Sequence, residues 1–227
     1  MTESPSELRV LHEDNHLIAV FKPAGVLTQG DRSGVPSLMD TVKAWLAERY
    51  AKPGNVFLGL VHRLDRPVSG VVLFAKTSKA ASRLSEQFRE RSVEKLYLAR
   101  IEGVITPAAG RLAHFIAHVE GTRKVTVHAH NTVGTKAGSL LYDTVWSDRA
   151  ASIVRVRLET GRKHQIRSQL AHVGHPIVGD GLYGARSRLA GDAIALCAVS
   201  LCVTHPTTKL PLRIELPPAL LPAALQH

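Results

Sequence analysis

Between His62 and Gly70 the chain reads His62-Arg63-Leu64-Asp65-Arg66-Pro67-Val68-Ser69-Gly70, one carboxylate among three basic side chains directly before an apolar run. Neighbouring positive charge favours the ionised form of a carboxyl group, which suits Asp65 to nucleophilic or charge-pairing chemistry. The same residues would also make a surface ion-pair cluster, or an Asp that organises the turn before Pro67. A second segment, Glu94 to Gly103, places Lys95, Tyr97 and Ala99 on one face of a strand. A ring beside a cation suits stacking on a nucleobase, although a half-buried strand tyrosine needs no such role. A third, Leu158 to Arg167, carries Arg162, Lys163, His164 and Arg167 where a helix is expected over Arg162 to Val173. Cations in a first helical turn oppose the macrodipole, so a docked anion would account for them. In that helix Lys163 and Arg167, four apart, share one side, and a solvated basic face is the alternative.

The elements that must position these residues follow from periodicity and turn chemistry. Leu8 to His12 and His16 to Phe21 read as strands joined at Asp14-Asn15. Ser37 is placed to cap a helix running to about Tyr50, with Leu38, Val42, Trp45 and Leu46 at helical spacing and Pro53-Gly54 beyond it. Gly70 to Ala75 is a short apolar strand, followed by a helix expected to be capped by Ser78, with Ala80, Ala81, Leu84 and Phe88 on one face. Leu96 to Ile101 resumes the sheet, and Arg111 to Glu159 is β-rich, with Glu120 to Lys124 as a hairpin tip and the alternating Thr126, His128 and His130 facing solvent. Ile166, Leu170 and Val173 turn inward on the helix before a glycine-rich loop from Gly174 to Gly184, two last strands and a Pro-rich tail. The sum is an α+β fold, a mixed, mainly antiparallel sheet with flanking helices. Neither repeats nor a long linker divide residues 1–227, so one domain is expected, with a core over about 8–216 and no room for a separate N-terminal module.

Composition narrows the partners. Lys and Arg number 29 against 19 Asp and Glu, a formal charge of +10 spread along the chain, which favours a polyanion. The two cysteines, Cys197 and Cys202, are too few for a disulfide framework and point to a reducing cytoplasm. Cys197 sits in an apolar strand-like run, where cysteine behaves as a small hydrophobe, so no metal site is expected. A leader-like N-terminus and an apolar run of membrane-spanning length are both lacking. Gly-x-Ser-x-Gly, a phosphate loop and His-Glu-x-x-His are absent too, which leaves hydrolase readings unsupported.

Taken together, the segments resemble the RluA family of RNA pseudouridine synthases. The likeness rests on His62-Arg63-Leu64-Asp65 with Ser69-Gly70, on Lys95-x-Tyr97-x-Ala99-x-x-x-Gly103, on Thr160-Gly161-Arg162-x-His164-Gln165-Ile166-Arg167, and on Gly174-His175-Pro176-Ile177-Val178-Gly179-Asp180. Lys22-Pro23-Ala24-Gly25 and Thr204-His205-Pro206 echo it, and it runs from about Arg9 to Glu215. Val68 departs from the family's usual Thr, and Cys197 from a common His. The resemblance implies a cofactor-free isomerase in which Asp65 is the nucleophile, Tyr97 stacks on the uracil and assists proton transfer, and Arg167 pairs with Asp65. It also implies that the target uridine is flipped out of its RNA, with Arg63 filling the vacated space. His62, Arg123, Lys124, Arg162, Lys163 and His164 are expected to contact the RNA, a stem-loop of ribosomal or transfer RNA, and the protein is expected to work as a monomer without an obligate protein partner. A non-catalytic RNA-binding or ribosome-assembly factor on the same fold is the rival, and the presence of Asp65, Tyr97 and Arg167 together argues against it.

Overall fold

The computed structural model describes residues 8–31, 34–51 and 54–226. In chain order the elements are β1 (Val10–Glu13), β2 (Leu17–Lys22), α1 (Leu38–Arg49), β3 (Gly59–Leu60), β4 (Ser69–Ala75), α2 (Ser78–Glu90) and β5 (Glu94–Glu102). There follow β6 (Ala109–His118), β7 (Val125–His128), β8 (Thr135–Ser147), β9 (Ala151–Leu158), α3 (Gln165–His172), β10 (Leu196–Thr204) and β11 (Pro211–Glu215). The chain divides into two compact units, residues 1–93 with 200–220, and residues 94–199 with 221–227. Among the described residues no helix is long and apolar enough to cross a membrane.

In the first unit the strand order is β1-β2-β4-β10, with β3 beside β4 and β11 beside β10. The β1–β2 turn forms at Asp14, whose carboxylate accepts from the amides of His16 at 2.6 Å and Leu17 at 2.8 Å. Every residue of β4 is buried, as expected of a strand covered on both faces. Leu17, Ala19, Val71 and Leu73 pack with Leu84, Leu201, Val203 and Ile214 in one apolar cluster. Ser37 caps α1 in a capping box with Asp40 and buries Leu38, Val42 and Leu46, while Trp45 is half-buried. That helix has ended by Tyr50, and Pro53 lies outside the described residues. The cap of α2 is Thr77 and not Ser78: the Thr77 hydroxyl accepts from the Ala80 amide at 3.2 Å, and Ser78 is already the first helical residue.

The second unit orders its strands β10-β5-β9-β8-β6-β7. All registered pairs within it are antiparallel, including β5 with β9 from Leu96↔Arg157 to Glu102↔Ala151. Val119 to Lys124 closes the hairpin of β6 and β7, with the Thr122 amide and hydroxyl both on the Val119 carbonyl. His128 ends β7 half-buried, and His130 is exposed beyond it.

The largest departure from expectation is at α3, which begins at Gln165 and not at Arg162. His164 takes a left-handed backbone conformation, φ 52°, which interrupts the helical hydrogen-bond ladder before it can include Arg162 and Lys163. Those two residues occupy the turn ahead of the helix, so Lys163 and Arg167 share no helical face, and Val173 lies beyond the helix as its C-terminal cap.

Candidate active site

Asp65 lies in the segment between β3 and β4, and that segment is tied down on either side of it. The buried Thr28 hydroxyl donates to the Leu64 carbonyl at 2.8 Å and accepts from the Leu64 amide at 3.2 Å. On the other side the Arg66 carbonyl accepts from the Gly25 amide at 2.8 Å and from the Lys22 ammonium at 3.1 Å. The Val68 amide closes a turn onto the Asp65 carbonyl at 3.0 Å, and the apolar Leu64 and Val68 are buried as anchors. Asp65 itself is half-buried and Arg63 is exposed. His62 is engaged with the sheet, its Nε2 accepting from the Leu73 amide at 3.0 Å and its ring stacked on Phe88 at 5.0 Å.

Lys22 is fully buried, and its ammonium donates to the carbonyls of Pro23, Val26 and Arg66 at 2.8–3.1 Å. Burial pulls its pKa down from 10.5 to about 7, against the attraction of Asp65, which raises it. An amine with no exposure, able to titrate near neutral pH, is thus built into the base of the Asp65 loop. In the sequence Lys22-Pro23-Ala24-Gly25 is only a supporting echo of the family, because nothing in local pattern says that a lysine at the end of β2 is covered.

In the second unit Tyr97 stands opposite Val156 on the face of β5 that also carries the buried Ala99 and Ile101. Lys95 is two residues before it on the same face, with its ammonium beside Gly161. Arg167 is buried on α3 and forms a bidentate ion pair with Asp180, Nε to Oδ2 at 2.7 Å and Nη2 to Oδ1 at 2.9 Å, at side-chain exposures of 5% and 1%. The Tyr183 ring covers the same guanidinium at 5.2 Å. The loop holding both partners is laid along β5, with Ile177 bridged to Ile101 and the Val178 amide on the Arg100 carbonyl. Asp180 was part of a motif in the sequence, but its role as the partner of Arg167 depends on this loop path, and Tyr183 carried no signal at all.

The residues expected to meet RNA on this unit converge on one surface. Lys163 and His118, at the end of β6, are 3.0 Å apart through Nζ and Nε2, which sets the basic turn beside the hairpin that exposes Arg123 and Lys124. Arg162 is held by the sheet instead of offering a helix N-terminus: its amide donates to Gln165 Oε1 at 2.9 Å and its Nε to the Ala137 carbonyl at 2.9 Å. Gln165 Oε1 also accepts from the Thr160 hydroxyl at 2.7 Å, so the Arg162 amide is engaged within the turn ahead of α3. Among the described residues no group of three or more His, Cys, Asp or Glu could hold a metal ion.

Residues 16–172, which span Asp65, Tyr97 and Arg167, match the family model described as RNA pseudouridylate synthase. The ribosomal large subunit pseudouridine synthase D of Pseudomonas aeruginosa is 33% identical, over 93% of this chain and 68% of that protein. The dual-specificity RNA pseudouridine synthase RluA of Yersinia pestis is 32% identical, over 91% of this chain and 97% of its own. The chain belongs to the RluA family of pseudouridine synthases. It is accordingly an isomerase acting on uridine in RNA. The solved structure titled human RNA pseudouridylate synthase domain containing 4 superposes with a TM-score of 0.79 at 23% identity, covering 95% of this chain and 89% of that one, and shows the same pseudouridine synthase fold. On that fold this chain carries the clamped Asp65 loop, the buried Arg167–Asp180 pair and the exposed Arg123 and Lys124 of the β6–β7 hairpin.

Proposed function

We propose that this pseudouridine synthase isomerises specific uridines in structured ribosomal or transfer RNA, with Asp65 as the nucleophile and Tyr97 and Arg167 as the other catalytic groups. The observation that carries the reading is the setting of Asp65: a half-buried carboxylate on a loop clamped at Leu64 and Arg66, beside an exposed arginine, within the segment that matches the family. A nucleophile must be held close to its reacting geometry, and the clamps on both sides supply that. The reaction breaks the bond from ribose to a uracil nitrogen, turns the base in place and rejoins it through a ring carbon. No electrons are exchanged with a second reactant, so side chains suffice.

Tyr97, on the edge of the buried face of β5, would stack on the uracil and move a proton at the ring. Arg167 would supply a guanidinium whose direction is set by Asp180. Extrusion of the uridine costs a few kcal/mol, which phosphate contacts offset. Arg63 would fill the space left behind, and Arg123, Lys124, Arg162, Lys163 and His164 would hold the backbone, with His62 anchoring the loop that carries Arg63. This reading takes residues 8–216 as one catalytic domain and sets the protein to work in the cytoplasm as a monomer without an obligate protein partner.

Asp65→Asn tests it. Release of tritium from RNA labelled at the fifth carbon of uracil should fall to background, while RNA affinity stays within about fivefold of wild type, or about 1 kcal/mol. Retained turnover in that variant would remove Asp65 from the role.

A further inference from the structure

We propose that Tyr183 is a positioning residue that couples RNA docking on the β6–β7 hairpin to the guanidinium of Arg167. The inference rests on the reading of Arg167 as catalytic and of the hairpin as an RNA contact. It comes from the three things one side chain does at once. The hydroxyl accepts from the Val125 amide at 3.1 Å, and Val125 is the first residue of β7, directly after Arg123 and Lys124. The same oxygen is 2.9 Å from His164 Nδ1, next to Lys163 and Arg162. The ring face covers the Arg167 guanidinium at 5.2 Å, on the arginine that Asp180 already orients through both carboxylate oxygens.

The chemistry of a phenol makes this more than a packing contact. With one lone pair taken by the Val125 N–H, the hydroxyl can donate its proton to Nδ1 of a His164 ring protonated at Nε2. His164 is also the residue in left-handed conformation that ends the basic turn and starts α3, three residues before Arg167. Displacement of the hairpin or of the basic turn by a phosphate backbone therefore pulls on the tyrosine oxygen, and the ring moves with it. Tyr183 is held in turn by backbone: its amide donates to the Asp180 carbonyl at 3.0 Å. The residue that sets Arg167 by charge and the one that covers it thus share a single short turn.

The experiment compares wild type, Tyr183→Phe, Tyr183→Leu and the hairpin variant Arg123→Ala/Lys124→Ala, using unmodified transcripts of large-subunit ribosomal RNA and of tRNA and carrying forward whichever wild type modifies. Tyr183→Phe keeps the ring but loses both hydroxyl contacts. KM should rise about five- to tenfold, the loss of one or two hydrogen bonds, with the single-turnover rate at saturating enzyme within about twofold of wild type. Tyr183→Leu should also lower that single-turnover rate by about tenfold or more. In the hairpin variant, adding Tyr183→Phe should change KM by less than about twofold, because the docking that the hydroxyl transmits is already lost. A merely structural role would instead multiply the two effects, and that outcome overturns the proposal, as does a wild-type rate in Tyr183→Leu. Should Tyr183→Leu fail to fold, hydrogen exchange at the Val125 amide of wild type decides: it should slow when RNA binds, and an unchanged rate refutes the coupling. Asp65→Asn run alongside separates the cases, since activity in that variant defeats the catalytic reading, whereas an inactive Asp65→Asn with an unaffected Tyr183→Phe defeats only the coupling.

Discussion

Removing the Asp180 carboxylate perturbs a single buried pair whose geometry sets the expected size of the effect. Arg167 and Asp180 meet at 2.7 and 2.9 Å with side-chain exposures of 5% and 1%, so neither charge is screened by bulk water. Asp180→Ala takes this counter-charge from a desolvated guanidinium that the Tyr183 ring covers at 5.2 Å. Breaking such a pair from one side costs about 3–5 kcal/mol. For a chain of this length each kcal/mol moves the melting temperature by roughly 2–4 °C, so a drop of about 6–20 °C is expected in thermal unfolding followed by circular dichroism. Replacing both partners by apolar residues of similar volume, Arg167→Met with Asp180→Leu, should restore stability to within about 2 kcal/mol of wild type while isomerisation stays abolished. The comparison separates the fold's need for the pair from the reaction's need for the arginine. An Asp180→Ala variant that melts within about 2 °C of wild type would refute the reasoning, because the pair would then be wet or replaced by another contact.

Two further outcomes follow from the same physical terms. Lys22 has its pKa lowered from 10.5 to about 7, so above pH 7 the native state releases a proton that the unfolded chain still holds, and stability rises with pH between about 7 and 10.5. Urea unfolding should show up to about 1.4 kcal/mol of added stability per pH unit in that window, and Lys22→Met should abolish this contribution, leaving a slope unchanged by the substitution as the contrary result. Arg123→Ala/Lys124→Ala should flatten the dependence of log affinity on log salt by roughly 1.5–2 without altering which uridine is modified, as read by filter binding over a salt series and by pseudouridine mapping; an unchanged slope would take the hairpin out of the RNA footprint.

Local pattern carried a large part of this architecture. The capping box at Ser37, the buried stripe of Leu38, Val42 and Leu46, the apolar β4 and the hairpin tip at Glu120 to Lys124 are all written in neighbours a few residues apart, where hydrogen bonds and side-chain periodicity act directly. The family motifs likewise lie in short runs, which is why Asp65, Tyr97 and Arg167 are legible in the sequence. Tertiary structure decided what those residues rest on. α3 starts at Gln165 because Gln165 bonds Thr160 and Ser139 while His164 turns left-handed, a choice made by β8 and the segment after β9 and not by helix propensity. Thr77 rather than Ser78 became the cap of α2 because the preceding strand delivers Thr77 in extended conformation, and adjacent hydroxyl residues offer no other means of choosing between them. Lys22 became a buried amine, Asp180 the partner of Arg167 and Tyr183 its cover through contacts 44, 13 and 16 residues distant along the chain, fixed only once the loops are laid on the sheet. Sequence by itself determined which groups could do the chemistry, because their types and spacing are covalent facts. Which charges are buried, and what orients them, was settled by packing, since desolvation depends on everything that surrounds a side chain and not on its neighbours in the chain.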